Sequence, residues 1–129
     1  DARVAILQAE DSLERCEAAG MRWGVLSAQL VLARAFQILG KQERQTRAVL
    51  AAKQLVEEGE EYAREEAYYY ISQLLPDDEE FRERRQEAIE QARSLVIRNA
   101  DGIQDEPLRQ SFLARGLHQK ILSASQDMS

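Results

Sequence analysis

The fold is decided by residues 21–59, which read MRWGVLSAQLVLARAFQILGKQERQTRAVLAAKQLVEEG. At 100° per residue, the apolar side chains of residues 21–39 occupy one half of a helix, which is more than a surface helix needs. This apolar half consists of Met21, Val25, Ala28, Val31, Leu32, Ala35, Phe36, Ile38 and Leu39. We therefore expect this helix to be buried on more than one side.

A second helix follows after a short turn. Gly40 comes directly after the last periodic residue, where a left-handed helix terminus is expected. The next amphipathic run ends at Gly59, and its apolar stripe consists of Ala48, Val49, Ala52, Leu55 and Val56. The pattern predicts two antiparallel helices joined by a short connection.

The length and composition of the chain favour a single all-α domain. A chain of 129 residues has the usual length of one domain, and its two prolines come with no alternating segment rich in Val, Ile and Thr. The net charge of −6 disfavours nucleic acids and anionic membranes, because proteins bind both mainly through Lys and Arg. No apolar run reaches the ~20 residues of a membrane helix. We expect a soluble, cytoplasmic protein.

Helical periodicity extends over the rest of the chain. We expect about five long helices and a short C-terminal helical cap, arranged as a right-handed stack of antiparallel hairpins. The expected units are 1–19 (second helix of a preceding repeat), 21–58 (hairpin one), 60–100 (hairpin two) and 105–125 (cap). Tyr70 and Leu108 are among the apolar residues predicted to be core. Because the chain starts at Asp1 without an initiator Met, we expect it to be part of a longer protein.

Capping and helix-breaking residues mark the later boundaries. Pro76 is expected to end one helix, because the residue before a proline avoids helical geometry. Asp77 or Asp78 is expected to cap the next helix, and Asp105 the last one. Gly116 is expected to divide that last helix into two short pieces.

An internal repeat relates the two hairpins. When Gly20 is laid over Gly59, 39 residues further on, apolar positions fall on apolar positions. The matched pairs are Ala9 and Ala48, Leu13 and Ala52, Cys16 and Leu55, Trp23 and Tyr62, Ala28 and Ala67, Leu32 and Ile71, and Phe36 and Leu75. Such a period is typical of stacked hairpins, none of which can bury its faces alone.

The spacing of six residues resembles the tetratricopeptide repeat (TPR). They are Leu32, Ala33, Phe36, Gly40, Val49 and Ala52. The small residue that this family has early in the second helix falls on Gln45, and its closing proline falls on Glu57. Residues 20–23 (GMRW) and 105–113 (DEPLRQSFL) are similar to the last repeats of large bacterial signalling ATPases, adenylate cyclases and transcriptional regulators. The resemblance implies a C-terminal protein-interaction or sensor segment, and it implies no catalytic residue.

A second stripe, separate from the core stripe, runs along the first helix of each hairpin at i, i+4, i+7 and i+11. It consists of Trp23, Ser27, Leu30 and Arg34 in the first hairpin and of Tyr62, Glu66, Tyr69 and Gln73 in the second. First helices line the concave side of a hairpin stack, so we expect these side chains to form a groove that binds a protein or peptide. Aromatic residues together with Arg are typical of binding hot spots, and we expect Arg34 and Tyr69 to contribute most. In the alternative interpretation, Trp23 and Tyr62 pack between the hairpins.

Other reactive residue types lack the spacing that chemistry requires. His118 and Cys16 are too far apart in the sequence to suggest a metal site, and Cys16 falls on an apolar stripe, which predicts a buried thiol. The acidic runs 57–61 and 77–80 are typical of solvated or capped helix ends. No glycine-rich phosphate loop or nucleophile motif is present. We expect no enzymatic activity, no cofactor and no metal.

Three functions compete at this stage. The favoured one is a non-enzymatic protein or peptide interaction module from the C-terminal part of a bacterial multidomain signalling or regulatory protein. The second is a structural self-association or capping segment, a homodimer formed through exposed residues such as Val4, Ile6 and Leu7 of the first helix. The third, well behind, is an enzyme or a small-molecule sensor.

Overall fold

The computed structural model describes residues 1–59 and 64–127, and within these ranges the chain is helical with no strand. The helices are α1 (Ala2–Ala19), α2 (Arg22–Ile38), α3 (Gln42–Glu58), α4 (Glu65–Leu74), α5 (Arg82–Asp101), α6 (Glu106–Leu113) and α7 (Gly116–Asp127). A single 3-10 turn, Glu79–Phe81, precedes α5. The all-α prediction is confirmed. No helix in the described ranges is long and apolar enough to cross a membrane.

Two glycines end helices as their positions predict. Gly20 and Gly40 have φ values of 70° and 71°, in the left-handed region that glycine adopts without a steric penalty. After Gly20, the N–H of Met21 bonds to the carbonyl of Cys16 at 2.8 Å. After Gly40, the N–H of Lys41 bonds to the carbonyl of Phe36 at 2.9 Å. Both bonds satisfy carbonyls that the helix itself leaves open.

The first three helices pack as consecutive antiparallel neighbours. The start of α2 meets the end of α3 through an ion pair between Arg22 and Glu58. The start of α2 also lies against the end of α1, where a Cβ built on Gly24 would be 2.3 Å from the Cys16 sulfur. The absence of a side chain at Gly24 thus leaves room for the Cys16 side chain where the two helices meet. Cys16, predicted to be a buried thiol, is half-buried.

Helices α2 and α4 lie side by side and run in the same direction. Near their starts, the guanidinium of Arg64 lies 4.7 Å from the centre of the Trp23 ring. Near their ends, the Gln37 amide donates to the carbonyl of Gln73 at 3.3 Å. Equivalent parts of the two helices therefore lie next to each other.

The main core lies between helices α1 to α5. Its most completely buried side chains include Leu26, Ala33, Val49, Ala52 and Ile71. Several residues predicted to be core are instead exposed, namely Met21, Val31, Ile38, Tyr70 and Leu108. The apolar half of α2 is therefore wider than its buried face.

The C-terminal end of α4 is held by side chains from three other helices. Gln37 of α2 bonds to the carbonyl of Gln73, and buried Gln45 of α3 donates to the carbonyl of Leu74 at 2.7 Å. Arg85 of α5 donates to the carbonyl of Pro76 at 2.6 Å. These bonds satisfy main-chain acceptors near the end of the helix, where the helix offers no donors. They also explain a polar residue at position 45, where the repeat family has a small one.

The predicted caps are confirmed in one case and wrong in the other. The Asp105 carboxylate accepts from the N–H of Leu108 at 3.0 Å, as expected of an N-cap. Asp78 makes no such bond, because the chain enters α5 through a 3-10 turn and its carboxylate accepts instead from Gln42 at 3.1 Å. Asp77 forms an ion pair of 2.9 Å with Arg85. The predicted break at Gly116 is confirmed, since α6 ends at Leu113 and α7 begins at Gly116.

A smaller apolar cluster joins the C-terminal helices to the rest of the molecule. Its buried members are Ala92, Val96 and Ile121, and the rings of Tyr68, Tyr69 and Phe112 pack against them. His118 is buried here, with Nδ1 2.6 Å from the carbonyl oxygen of Phe112 and Nε2 3.2 Å from a carboxylate oxygen of Glu65. Because a carbonyl can only accept, Nδ1 is the donor. This histidine therefore connects α7 to both α6 and α4.

Candidate binding groove

An open groove of about 770 Å³ lies between the second halves of α2 and α4. The start of α1 and one residue of α7 complete its walls. The lining consists of Asp1, Ala2, Ala5, Leu30, Val31, Arg34, Ala35, Gln37, Ile38, Tyr69, Tyr70, Gln73, Leu74 and Lys120. We call this surface the α2–α4 groove.

Four of the eight predicted site residues meet in the α2–α4 groove. Leu30 and Arg34 come from α2, and Tyr69 and Gln73 come from α4. They are brought together because the two helices lie side by side in the same direction, which places equivalent turns opposite each other. The sequence repeat predicts this juxtaposition for residues on corresponding turns.

Three of the other predicted site residues are not part of the groove lining. Trp23, Ser27 and Glu66 lie on the earlier turns of α2 and α4, outside the lining of the groove. The Trp23 ring contacts the guanidinium of Arg64. Tyr62 lies outside the described residues.

The groove also contains residues that the sequence interpretation missed. Val31, Ile38 and Tyr70 were assigned to the core, yet they are 46%, 59% and 40% exposed and line the groove. The excess apolar width of α2 was the signal that could have identified Val31 and Ile38. Lys120 comes from α7, and no local pattern links it to α2 or α4.

A chain of polar contacts crosses the groove. Nη1 of Arg34 donates to the side-chain oxygen of Gln37 at 2.6 Å. The amide nitrogen of Gln37 in turn donates to the carbonyl of Gln73 across the gap between the helices. Gln37 therefore fixes the side chain of Arg34 and links α2 to α4 at the same point.

Tyr69 and Tyr70 have different surroundings. Their rings meet edge to face, with centroids 5.7 Å apart. Tyr69 is half-buried and also packs against the C-terminal cluster, so part of its ring belongs to the core. Tyr69 therefore serves the fold as well as the groove. Tyr70 is the more exposed of the two and presents its ring to the groove.

The charge of the groove differs in sign from that of the whole chain. The chain carries a formal charge of −6, whereas Arg34 and Lys120 are the basic residues of the lining. The acidic residue of the lining, Asp1, uses its carboxylate to accept from the N–H of Arg3 at 2.9 Å. The described lining of the groove is thus mainly apolar and includes two basic side chains.

The titratable groups outside the groove include no metal site among the described residues and one phenol, Tyr68, with a shifted pKa. Within the described ranges, no three His, Cys, Asp or Glu side chains are placed to hold a metal ion together. Burial, followed by the nearby charge of Glu57, raises the pKa of the Tyr68 phenol above its ordinary value, and Lys53 opposes this shift. Tyr68 lies between α3 and α5, away from the groove lining.

No protein-family model, curated protein or solved structure matches this chain.

Proposed function

We propose that the chain is a non-enzymatic interaction module that binds a segment of another protein in the α2–α4 groove. The observation that carries the proposal is the exposure of Val31, Ile38 and Tyr70 side by side in one concave surface. Isolated exposed apolar residues are common, but a contiguous concave set with charged edges is typical of a binding site.

The arrangement of the helices supports the same proposal. Antiparallel contacts between α1, α2 and α3, together with the parallel contact of α2 with α4, are those expected of a right-handed stack of TPR-like hairpins. In such a stack the first helices of successive hairpins form the concave wall. The resemblance further suggests that the chain is the C-terminal part of a bacterial multidomain signalling or regulatory protein acting in the cytoplasm.

A peptide-display selection on the intact chain tests this function. We expect the recovered peptides to bind Ile38→Ala and Tyr70→Ala about 30-fold more weakly than the native chain, which corresponds to about 2 kcal/mol at a hot spot. Leu108→Ala is the matched control for Ile38→Ala, because Leu108 is 62% exposed against 59% for Ile38 and lies on α6, outside the groove. Recovered peptides that bind all three variants equally well would contradict the proposal.

A second candidate, self-association through α1, rests on a separate observation. Leu7 is 69% exposed and Val4 is 48% exposed, and both lie on a helix that has a neighbour on one side only among the described elements. In a hairpin stack such a face is one that another element covers. Sedimentation of the chain with and without Leu7→Glu distinguishes the two, since only self-association through α1 predicts a dimer that this substitution dissociates.

A further inference from the structure

The walls of the α2–α4 groove are formed by helices. Residues 30–38 belong to α2, 69–74 to α4 and Lys120 to α7, so their N–H groups, and their C=O groups before the last turn of each helix, are bonded within those helices. In the last turns, the carbonyls of Phe36 and Gln73 accept from Lys41 and Gln37. A segment that binds here finds side chains, mostly apolar, and no strand edge.

This property decides what conformation of ligand fits. An extended peptide would press unpaired N–H and C=O groups against Leu30, Val31 and Ile38, and burying such groups without partners costs free energy. A helix keeps its main-chain hydrogen bonds internal and presents only side chains. The apolar groove therefore favours a helical ligand over an extended one.

The spacing of the exposed apolar residues fits the surface of a helix. Val31 and Ile38 are two turns apart on α2, about 10.5 Å along its axis. In helix-in-groove recognition, the docking helix carries apolar residues at i, i+3 or i+4, and i+7. Its residues i and i+7 are therefore separated by the same distance as Val31 and Ile38. Small Ala2, Ala5 and Ala35 line the groove between the larger side chains and allow a close approach.

The charge of the groove decides what flanks the apolar stripe of the ligand. Arg34 and Lys120 stand at the groove in a chain that is otherwise acidic. An acidic ligand is attracted to these two residues, whereas a basic one would be held by the remaining acidic surface and repelled from the groove.

We infer that the α2–α4 groove takes an amphipathic α-helix of a partner protein, with an apolar stripe flanked by Asp or Glu. This inference rests on the proposed binding function and adds the conformation and charge of the ligand. Arg34 and Lys120 select the charge, and Val31, Ile38 and Tyr70 accept the stripe.

Two display libraries of equal length test the inference on the full chain. One holds its peptides in a helical Ala-rich frame, and the other in an extended Pro-containing frame, with the same number of randomised positions. We expect enrichment from the helical library, with apolar residues at i, i+4 and i+7 and acids beside them. Enrichment from the extended library, or no preference for acids, would overturn the inference while leaving a peptide-binding groove intact.

Charge reversal gives the matched variant. With Arg34→Glu and Lys120→Glu together, we expect the selected helix to bind at least tenfold more weakly, and a version with Lys in place of its acids to regain that factor. Equal binding of both versions to both proteins would overturn the inference. Loss of binding in Tyr70→Ala confirms that the groove is the site. If no peptide binds in a Tyr70-dependent manner, or if a dimer of the chain dissociates with Tyr70→Ala, a partner helix is excluded.

Discussion

The side-chain amide of Gln45 donates a buried hydrogen bond of 2.7 Å to the main-chain carbonyl oxygen of Leu74. The bond joins the first turn of α3 to the last residue of α4. It places a long polar side chain on the core face of α3, beside Ala48, Val49 and Ala52. A polar residue in this environment is stable because its donor has a partner.

We expect Gln45→Ala to lower the free energy of unfolding by about 1–3 kcal/mol, because the carbonyl of Leu74 would remain buried without a donor. Urea unfolding followed by circular dichroism measures this change. Gln54→Ala is the control, since Gln54 lies on the exposed face of the same helix and bonds to exposed Glu58 at 3.1 Å; its effect should stay within about 0.5 kcal/mol. Equal effects of the two substitutions would contradict the role given to Gln45.

Gly24 should not tolerate a methyl group while Cys16 is present. The new Cβ would lie 2.3 Å from the Cys16 sulfur, so Gly24→Ala is expected to destabilise the protein by about 1–3 kcal/mol through overpacking, despite alanine's better helix propensity. In a Cys16→Ala background the same substitution should cost at least about 1 kcal/mol less. A thermal-denaturation double-mutant cycle measures the coupling, and strict additivity would show that the cost of Gly24→Ala does not come from the contact with Cys16.

His118 should stabilise the C-terminal helices more than the rest of the molecule. No residue of α6 is buried, so α6 depends on His118 and on the partly buried Phe112 and Leu113 for its position. We expect His118→Ala to cost about 2–4 kcal/mol, because it removes a buried side chain together with its contacts to the carbonyl of Phe112 and the carboxylate of Glu65. In the His118→Ala variant, hydrogen exchange should speed up relative to the native chain more in α6 and α7 than in α2 and α3.

Glu65→Ala provides the comparison for that experiment. Its carboxylate is partly exposed and loses only the contact with Nε2, so a smaller effect confined to the same helices is expected. A uniform loss of protection across all helices after His118→Ala would show that the C-terminal helices do not open independently.

Core and groove residues on α2 should respond differently to truncation. Leu32 is buried, and Leu32→Ala is expected to cost about 2–5 kcal/mol. Arg34 is exposed, and Arg34→Ala should change the stability by less than about 0.5 kcal/mol. Tyr69→Ala should fall between these values because its ring contacts both the groove and the C-terminal cluster. Chemical denaturation checks the order, and a cost for Arg34→Ala as large as that for Leu32→Ala would place Arg34 in the core.

Tyr68 should contribute to the loss of stability in alkali. Its pKa in the folded protein is raised above the ordinary value of 10.0, first by burial and then by Glu57. The unfolded chain therefore loses this proton first, so the stabilisation is complete below pH 10.0 and is lost as the pH rises through the raised pKa. Free energies of unfolding measured between pH 8 and 11 should fall less steeply for Tyr68→Phe than for the native chain. An identical slope would contradict the assignment.

The sequence predicted the helices far better than the surface that they form. Apolar periodicity and the glycines at 20 and 40 locate the ends of α1 and α2, because both signals act within a few residues of the chain. Periodicity also places Val31, Ile38 and Tyr70 on the apolar faces of their helices. It does not show what faces them, and in the folded chain nothing covers them fully.

Local sequence patterns could not predict contacts between distant segments of the chain for the same reason. Lys120 reaches the groove only because His118 and Ile121 fix α7 against α4 and α5. Gln45 appears in the sequence as a departure from an apolar pattern, and its partner is a main-chain atom that no side-chain motif records. The 39-residue repeat was the exception, since it related turns of α2 and α4 that prove to be neighbours.

The contact between Trp23 and Arg64 gives the molecule an optical reporter of its own. Trp23 is the sole tryptophan of the chain, and its ring lies under the Arg64 guanidinium where α2 meets the start of α4. Indole emission therefore follows the separation of these two helices, while the ring stays outside the α2–α4 groove. Tyr69 and Tyr70 are two of the four tyrosines and line the groove, so filling of the groove changes part of the tyrosine emission while opening of the helix pair changes the indole emission.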